Sequence, residues 1–162
     1  LSPKEAFRIE YWALEEAKIK RQPKEKELAR KIALVSGGGS GIGKEFCLKL
    51  ASEGAHVIVA DLDIEAAENT ARQIKSAFGS EVCIASQINI IDRQSVISAY
   101  NKAVLEFGGL DILINTAAVF IPADKDGTSY YDETWSKILN INIIFIHGTK
   151  KIFNPFLFNT KN

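Results

Sequence analysis

The stretch SGGGSGIG, from Ser36 to Gly43, constrains this chain more than any other. Five of its eight residues are glycine. It follows the apolar run KIALV and leads into KEFCLKLASEG, whose apolar positions suit a helix. Glycine loses more backbone freedom on folding than any other residue, so such a run needs a structural reason. A helix N-terminus supplies one, because its first N–H groups lack partners and it carries a partial positive charge. A diphosphate fits there provided no side chain holds it off. The sequence of strand, glycine loop and helix is the context such a cradle requires.

The rest of the chain continues the alternation. AHVIVAD is a β-branched apolar run and reads as a second buried strand. DIEAAENTARQIKSAFG reads as a helix with Asp63 as N-cap and Gly79 as C-cap. The helix after the glycine loop is expected over 43–53, with Gly54 as its stop. EVCIASQIN is a third strand, and DRQSVISAYNKAVLEFGG a helix opened by Asp92. LDILINTAAVF is a fourth strand, followed by a loop and a long helix capped by Asp132. Strands alternating with helices at this spacing predict an α/β fold, a Rossmann-like doubly wound parallel sheet with helices on both faces. FLFNT, 156–160, reads as part of a fifth strand.

Before residue 31 the pattern differs. PKEAFRIEYWALEEAKIK suits a helix with a broad apolar face of Ala6, Phe7, Ile9, Trp12, Leu14 and Ile19. RQPKEKELARK then reads as a charged linker broken at Pro23. The chain therefore divides into a 1–30 helical extension and a 31–162 nucleotide-binding domain.

Asp61 closes the second strand, 18 residues beyond Gly43. A carboxylate there accepts bonds from both hydroxyls of an adenosine ribose and repels a 2′-phosphate. Neither Ala60 nor Leu62 beside it is basic, so the cofactor expected is NAD rather than NADP. The 20 Lys and Arg balance the 20 Asp and Glu, which gives no basic excess for nucleic acid or an anionic membrane. Cys47 and Cys83 lie far apart without a metal-ligand pattern, and read as small buried residues in a reducing, cytoplasmic compartment. No apolar run reaches membrane-spanning length, and no metal site is expected.

These motifs resemble the short-chain dehydrogenases/reductases. SGGGSGIG matches their TGxxxGxG signature with Ser36 in place of Thr. INTAAV resembles their NNAG motif, with Asn115 in register and Thr116 and Ala118 as departures. Asn89 stands where the family usually has an Asp facing the adenine amino group, and Asn142, in WSKILNIN, where it has a catalytic Asn. The resemblance implies cofactor contacts from Ser36, Gly37, Gly39, Ser40, Gly41, Ile42, Gly43, Asp61, Asn89, Ile90, Asn115, Thr116 and Ala117. It implies a strand order of 3-2-1-4 and hydride transfer to or from a small alcohol, hydroxyaldehyde, sugar or polyol. It also implies a homo-oligomer paired through the 132–153 helix, whose Ile138, Leu139, Ile141, Ile143, Ile144 and Phe145 want cover. The junction of EAFRIEYWALEEAKIKR with KELARKIALVSGGGSGIG resembles enzymes that fuse an aldolase, related to rhamnulose-1-phosphate aldolase, to such a dehydrogenase.

The family's proton donor is a Tyr with a Lys four residues on. Here Tyr11 is followed at that spacing by Glu15, Tyr100 by Val104, Tyr130 by Thr134 and Tyr131 by Trp135. With no methionine, and LSPKEAF at its start, the sequence reads as a fragment or a processed product. Such a chain is expected to bind cofactor without turnover, or to serve as a binding or assembly module.

Overall fold

In the computed structural model the described residues are 2–21, 25–119, 121 and 133–144. Asp132, Tyr130, Tyr131, Phe145, His147 and the 156–160 stretch lie outside them. Four strands form one parallel sheet: β1 (Ile32–Ser36), β2 (His56–Asp61), β3 (Cys83–Gln87) and β4 (Ile112–Asn115). Their order is β3-β2-β1-β4, as the resemblance implies. Helices α2 (Gly41–Ser52), α3 (Ile64–Phe78) and α4 (Arg93–Phe107) make the crossovers.

Side chains alternate across the sheet with the period of two that a strand imposes. Ala33, Val35, Val57 and Val59 pack with Cys47, Leu50 and Ala51 of α2 and Ala67, Ala71 and Ile74 of α3. Leu34, Ile58 and Ala60 point the other way, against Val96, Ala99 and Ala103 of α4. Both faces of β1 and β2 are covered, which is why these strands read as continuous apolar runs. Each fully buried Leu, Ile or Val contributes about 1.5–3 kcal/mol.

Helix ends follow local chemistry. Asp63 accepts from the N–H groups of Glu65 and Ala66, and Asp92 from that of Gln94. Gly79 and Gly108 end α3 and α4 at φ of 119° and 91°, a region that favours glycine. Helix α2 starts at Gly41, two residues before the expected 43.

Two strands are shorter than expected. Over 81–89 only Cys83–Gln87 pair, because Ser80–Val82 form a 3₁₀ turn and Asn89 turns the chain toward α4. Among the described residues of 110–120 only Ile112–Asn115 pair. Beyond the Ser36–Asn115 register β1 turns into the glycine loop, and the pairing of the two strands ends.

Helix α1 (Pro3–Arg21) buries none of its residues. At about 100° per residue, Ile9, Trp12 and Ile19 fall on one side and Phe7, Tyr11 and Leu14 on nearly the opposite one. The broad single face expected for this helix is thus two narrow apolar stripes, all six residues exposed. Nearer the sheet domain, Leu28 makes a backbone contact to it, its N–H donating to the Glu53 carbonyl at 3.2 Å. Helix α5 (Glu133–Leu139) passes into a π-turn over Asn140–Ile144.

Candidate functional site

A cleft of about 440 Å³ opens at the C-terminal ends of the strands, where doubly wound sheets bind their ligands. Gly37, Ser40, Gly41, Ile42 and Gly43 line it from the loop and from α2. Asp61 and Leu62 line it after β2, Ile88 to Ile91 after β3, and Thr116 to Val119 after β4. A hollow along α1 is lined by that one helix and brings no polar groups from elsewhere in the fold together.

The glycines have different reasons to be there. A Cβ on Gly43 would overlap the Gly37 carbonyl and Thr116 Oγ1, so the first turn of α2 sits directly on the loop. Gly41 has φ +51° with open space where a Cβ would stand, so there the backbone angle makes the requirement.

Loop and strand ends are tied together from beneath. Thr116 donates through both its N–H (3.0 Å) and its Oγ1 (2.7 Å) to the Ser36 carbonyl. Ser36 is buried, and its Oγ donates to Asn115 Oδ1 at 3.1 Å. Gly39 is held at both ends: its N–H donates to Asp61 Oδ2 at 2.8 Å, and its carbonyl accepts from Thr70 Oγ1 at 3.1 Å. The second oxygen of Asp61 accepts from the Asp63 N–H at 3.1 Å. Asp61 is therefore a positioned carboxylate at the edge of the cleft, and each of its oxygens keeps a further lone pair.

The start of α2 differs from those of α3 and α4. Ser40, its N-cap, is extended at φ −151° and makes no side-chain capping bond. The N–H groups of the first turn thus have no side-chain cap, and they face a cleft with one carboxylate across it. This is the fixed positive end that an anion needs.

Of the residues expected to contact a cofactor, Gly37, Ser40, Gly41, Ile42, Gly43, Asp61, Asn89, Ile90, Thr116 and Ala117 line the cleft. Ser36, Gly39 and Asn115 lie behind that lining, where they brace it. Asn142 sits in the π-turn, and both ends of its side-chain amide pair with Val119: Oδ1 accepts from its N–H and Nδ2 donates to its carbonyl, each at 2.9 Å. Its amide holds the β4 extension against α5, and it is Ile141 beside it that reaches the cleft. Sequence reasoning missed Thr70 and Ser95. Thr70 sits at a buried helical position, which a small polar residue rarely takes without a partner. Ser95 lies in the first turn after the Asp92 cap, and nothing in the sequence points from it to Asn89.

His56 is the first residue of β2. Its Nδ1 lies 3.3 Å from the Glu81 carbonyl and its ring tilts against Phe107, so it is structural. Burial pushes the Cys47 thiol up to about 12, with Cys83 nearby adding to the shift, and burial likewise pushes Cys83 up to about 12. Neither is a nucleophile at neutral pH. Among the described residues no cluster of His, Cys, Asp or Glu could hold a metal ion, and no helix is long and apolar enough to cross a membrane.

The model of the short chain dehydrogenase family matches residues 31–161. The chain belongs to that family. A Bacillus subtilis protein called uncharacterized oxidoreductase YuxG is 40% identical over 144 residues, 89% of this chain and 20% of that protein. The 2,5-dichloro-2,5-cyclohexadiene-1,4-diol dehydrogenase LinX of Sphingobium indicum is 36% identical over 115 residues, 71% of this chain and 44% of that protein. The crystal structure of a 3-ketoacyl-(acyl-carrier-protein) reductase from Brucella melitensis complexed with NADH superposes with a TM-score of 0.70 at 27% identity, covering 80% of this chain and 51% of that one. The chain thus spans between a fifth and about half of the length of these three relatives.

Proposed function

We propose that this chain is the NAD-binding portion of a short-chain dehydrogenase that moves a hydride to or from a small alcohol, hydroxyaldehyde, sugar or polyol. The observation that carries the reading is the uncapped N-terminus of α2 at a cleft whose edge holds the Asp61 carboxylate. The N–H groups of the first turn would take the diphosphate and Asp61 the adenosine ribose. Thr116 and Asn142 would keep the loop and the β4 extension in place around it. Bound NAD supplies the hydride acceptor, and the chain's own residues bind and orient it. The printed names of the relatives, two of which act on alcohols or ketones and one of which holds NADH, support this reading.

The 162 residues contain no Tyr with a Lys four residues on, so these residues are proposed to bind without turnover. The 1–30 segment is proposed as an extension outside the nucleotide-binding domain. The Bacillus subtilis match is longer than 31–162, so its likeness runs into that extension. This favours a linker to a further half, such as the aldolase of the fusions it resembles; in-frame coding sequence upstream of Leu1 decides the point. The 132–153 segment is proposed to pair copies of the chain.

Titration calorimetry tests the cofactor reading. NAD is expected to bind at least about tenfold more tightly than NADP, and Asp61→Ala to weaken NAD by roughly tenfold, the size of one or two lost hydrogen bonds. A parallel thermal melt separates loss of the Asp61 bonds to ligand from loss of its bond to Gly39. No heat with NAD sinks the reading.

A further inference from the structure

Thr70 is the buried polar side chain of α3, 1% exposed in the middle of the helix. A helical Thr can bond back to the carbonyl four residues earlier. This one reaches across instead, and its Oγ1 donates to the Gly39 carbonyl at 3.1 Å. The loop comes this close because residue 39 has no side chain. A Cβ there would stand 2.8 Å from the Ala66 Cβ and 2.8 Å from Asp61 Oδ2. Gly39 thus lies directly on the Ala66–Thr70 turn of α3.

The Gly39 carbonyl and the Ser40 N–H belong to one planar trans peptide, so they point in opposite directions. With its carbonyl drawn onto Thr70, the peptide turns the Ser40 N–H away from α3. That N–H finds no acceptor among the described residues. Ser40 itself borders the cleft as the N-cap of α2, beside Gly41, Ile42 and Gly43.

We propose that Thr70 is a positioning residue for dinucleotide binding. It touches no ligand; it fixes the Gly39–Ser40 peptide so that the Ser40 N–H joins the first-turn amides of α2 as a donor to the diphosphate. Without the hydroxyl the Gly39 carbonyl is left unpaired, and the peptide gains by rotating toward water. Rotation carries the carbonyl, the negative end of the peptide dipole, toward the place where the anion binds. Asp61 holds only the peptide before this one, through the Gly39 N–H, so it cannot stand in for Thr70. The inference rests on the dinucleotide reading above and deepens it.

Titration of the full chain with NAD, adenosine diphosphate and adenosine tests it, at a temperature where a thermal melt shows each protein folded. Thr70→Val keeps the branched shape and loses the donor. It is expected to weaken NAD and adenosine diphosphate by roughly tenfold, the size of one hydrogen bond to a charged group, and adenosine by less than about twofold. Thr70→Ser restores the hydroxyl and should bind NAD within about twofold of wild type. A merely structural role would lower the melting temperature of Thr70→Val and leave the affinities of the folded protein alone. Should Thr70→Val not fold, wild type still decides: by NMR the Ser40 amide resonance should shift on adding adenosine diphosphate and far less on adding adenosine. Unchanged NAD affinity in Thr70→Val, an equal loss for adenosine, a Thr70→Ser that does not restore binding, or a Ser40 amide that adenosine diphosphate does not move overturns the inference. If NAD gives no heat with wild type, the cofactor reading falls and this inference with it.

Discussion

Gly39 shows how single residues set this site. Its N–H is fixed by Asp61 and its carbonyl by Thr70, so the loop's middle peptide has both ends bonded to neighbouring elements. A loop held this way presents its remaining amides without reordering when a ligand arrives, which is where preorganised sites gain affinity. The buried thiols work in the opposite direction. Cys47 and Cys83 are each pushed from 9.0 up to about 12, chiefly by burial. A folded value raised above the unfolded one means the neutral form is favoured in the native state. Their contribution is therefore fully present below pH about 9 and lost as pH rises from there toward 12. In urea melts stability should fall above pH about 9, and the fall should be smaller in the Cys47→Ala, Cys83→Ala double variant. Equal slopes in the two proteins would remove the thiols from the account. At pH 8 neither native thiol should react with a disulfide reagent until urea unfolds the chain.

Three helix starts on one sheet make an internal comparison at the scale of elements. Asp63 and Asp92 satisfy the first turns of α3 and α4, whereas Ser40 leaves that of α2 bare. Asp63→Ala should cost about 1 kcal/mol, seen as a lower urea midpoint at unchanged slope, while Ser40→Ala should stay within a few tenths. A Ser40→Ala cost as large as that of Asp63→Ala would show that Ser40 caps α2 after all, and would weaken its case as an anion site. The two Asp caps were legible because capping is a local signal: a short acceptor two or three residues before the N–H it meets. The doubly covered parallel sheet was legible because β1 and β2 are apolar on both faces and each strand returns by a helix, while its order came from the resemblance carried by the glycine loop. The limits of β4 were not, since it stops pairing where β1 turns away, a fact about its neighbour rather than about LDILINTAAVF. The same holds for Thr70, Ser95 and Asn142. Their partners are distant in sequence or set by a turn, and no spacing announces them.

At the scale of the whole molecule the described surface is uneven. Helix α1 exposes Trp12 and Phe7 on opposite sides, and the α5 segment exposes Trp135 and Ile143. Strand β4 pairs with β1 on one side and, among the described residues, with no strand on the other, and its residues are only half-buried. Half-covered strands next to exposed aromatic and aliphatic side chains tend to associate, because covering them removes apolar area from water. With charges that sum to zero there is no long-range repulsion to oppose this. The proposed pairing through the 132–153 segment would put Trp135 and Ile143 in one interface. In sedimentation at about 100 µM, where even a weak dimer of roughly −5.5 kcal/mol is populated, the mass should exceed the 17.9 kDa of one chain. Trp135→Glu with Ile143→Glu should return it to that value, because two carboxylates cannot be buried unpaired between apolar surfaces. Helix α1 competes as the source of association, and Trp12→Glu with Phe7→Glu separates the two. If those changes give monomers and the α5 changes do not, the contact belongs to α1; if wild type sediments as one chain at this concentration, neither helix pairs copies.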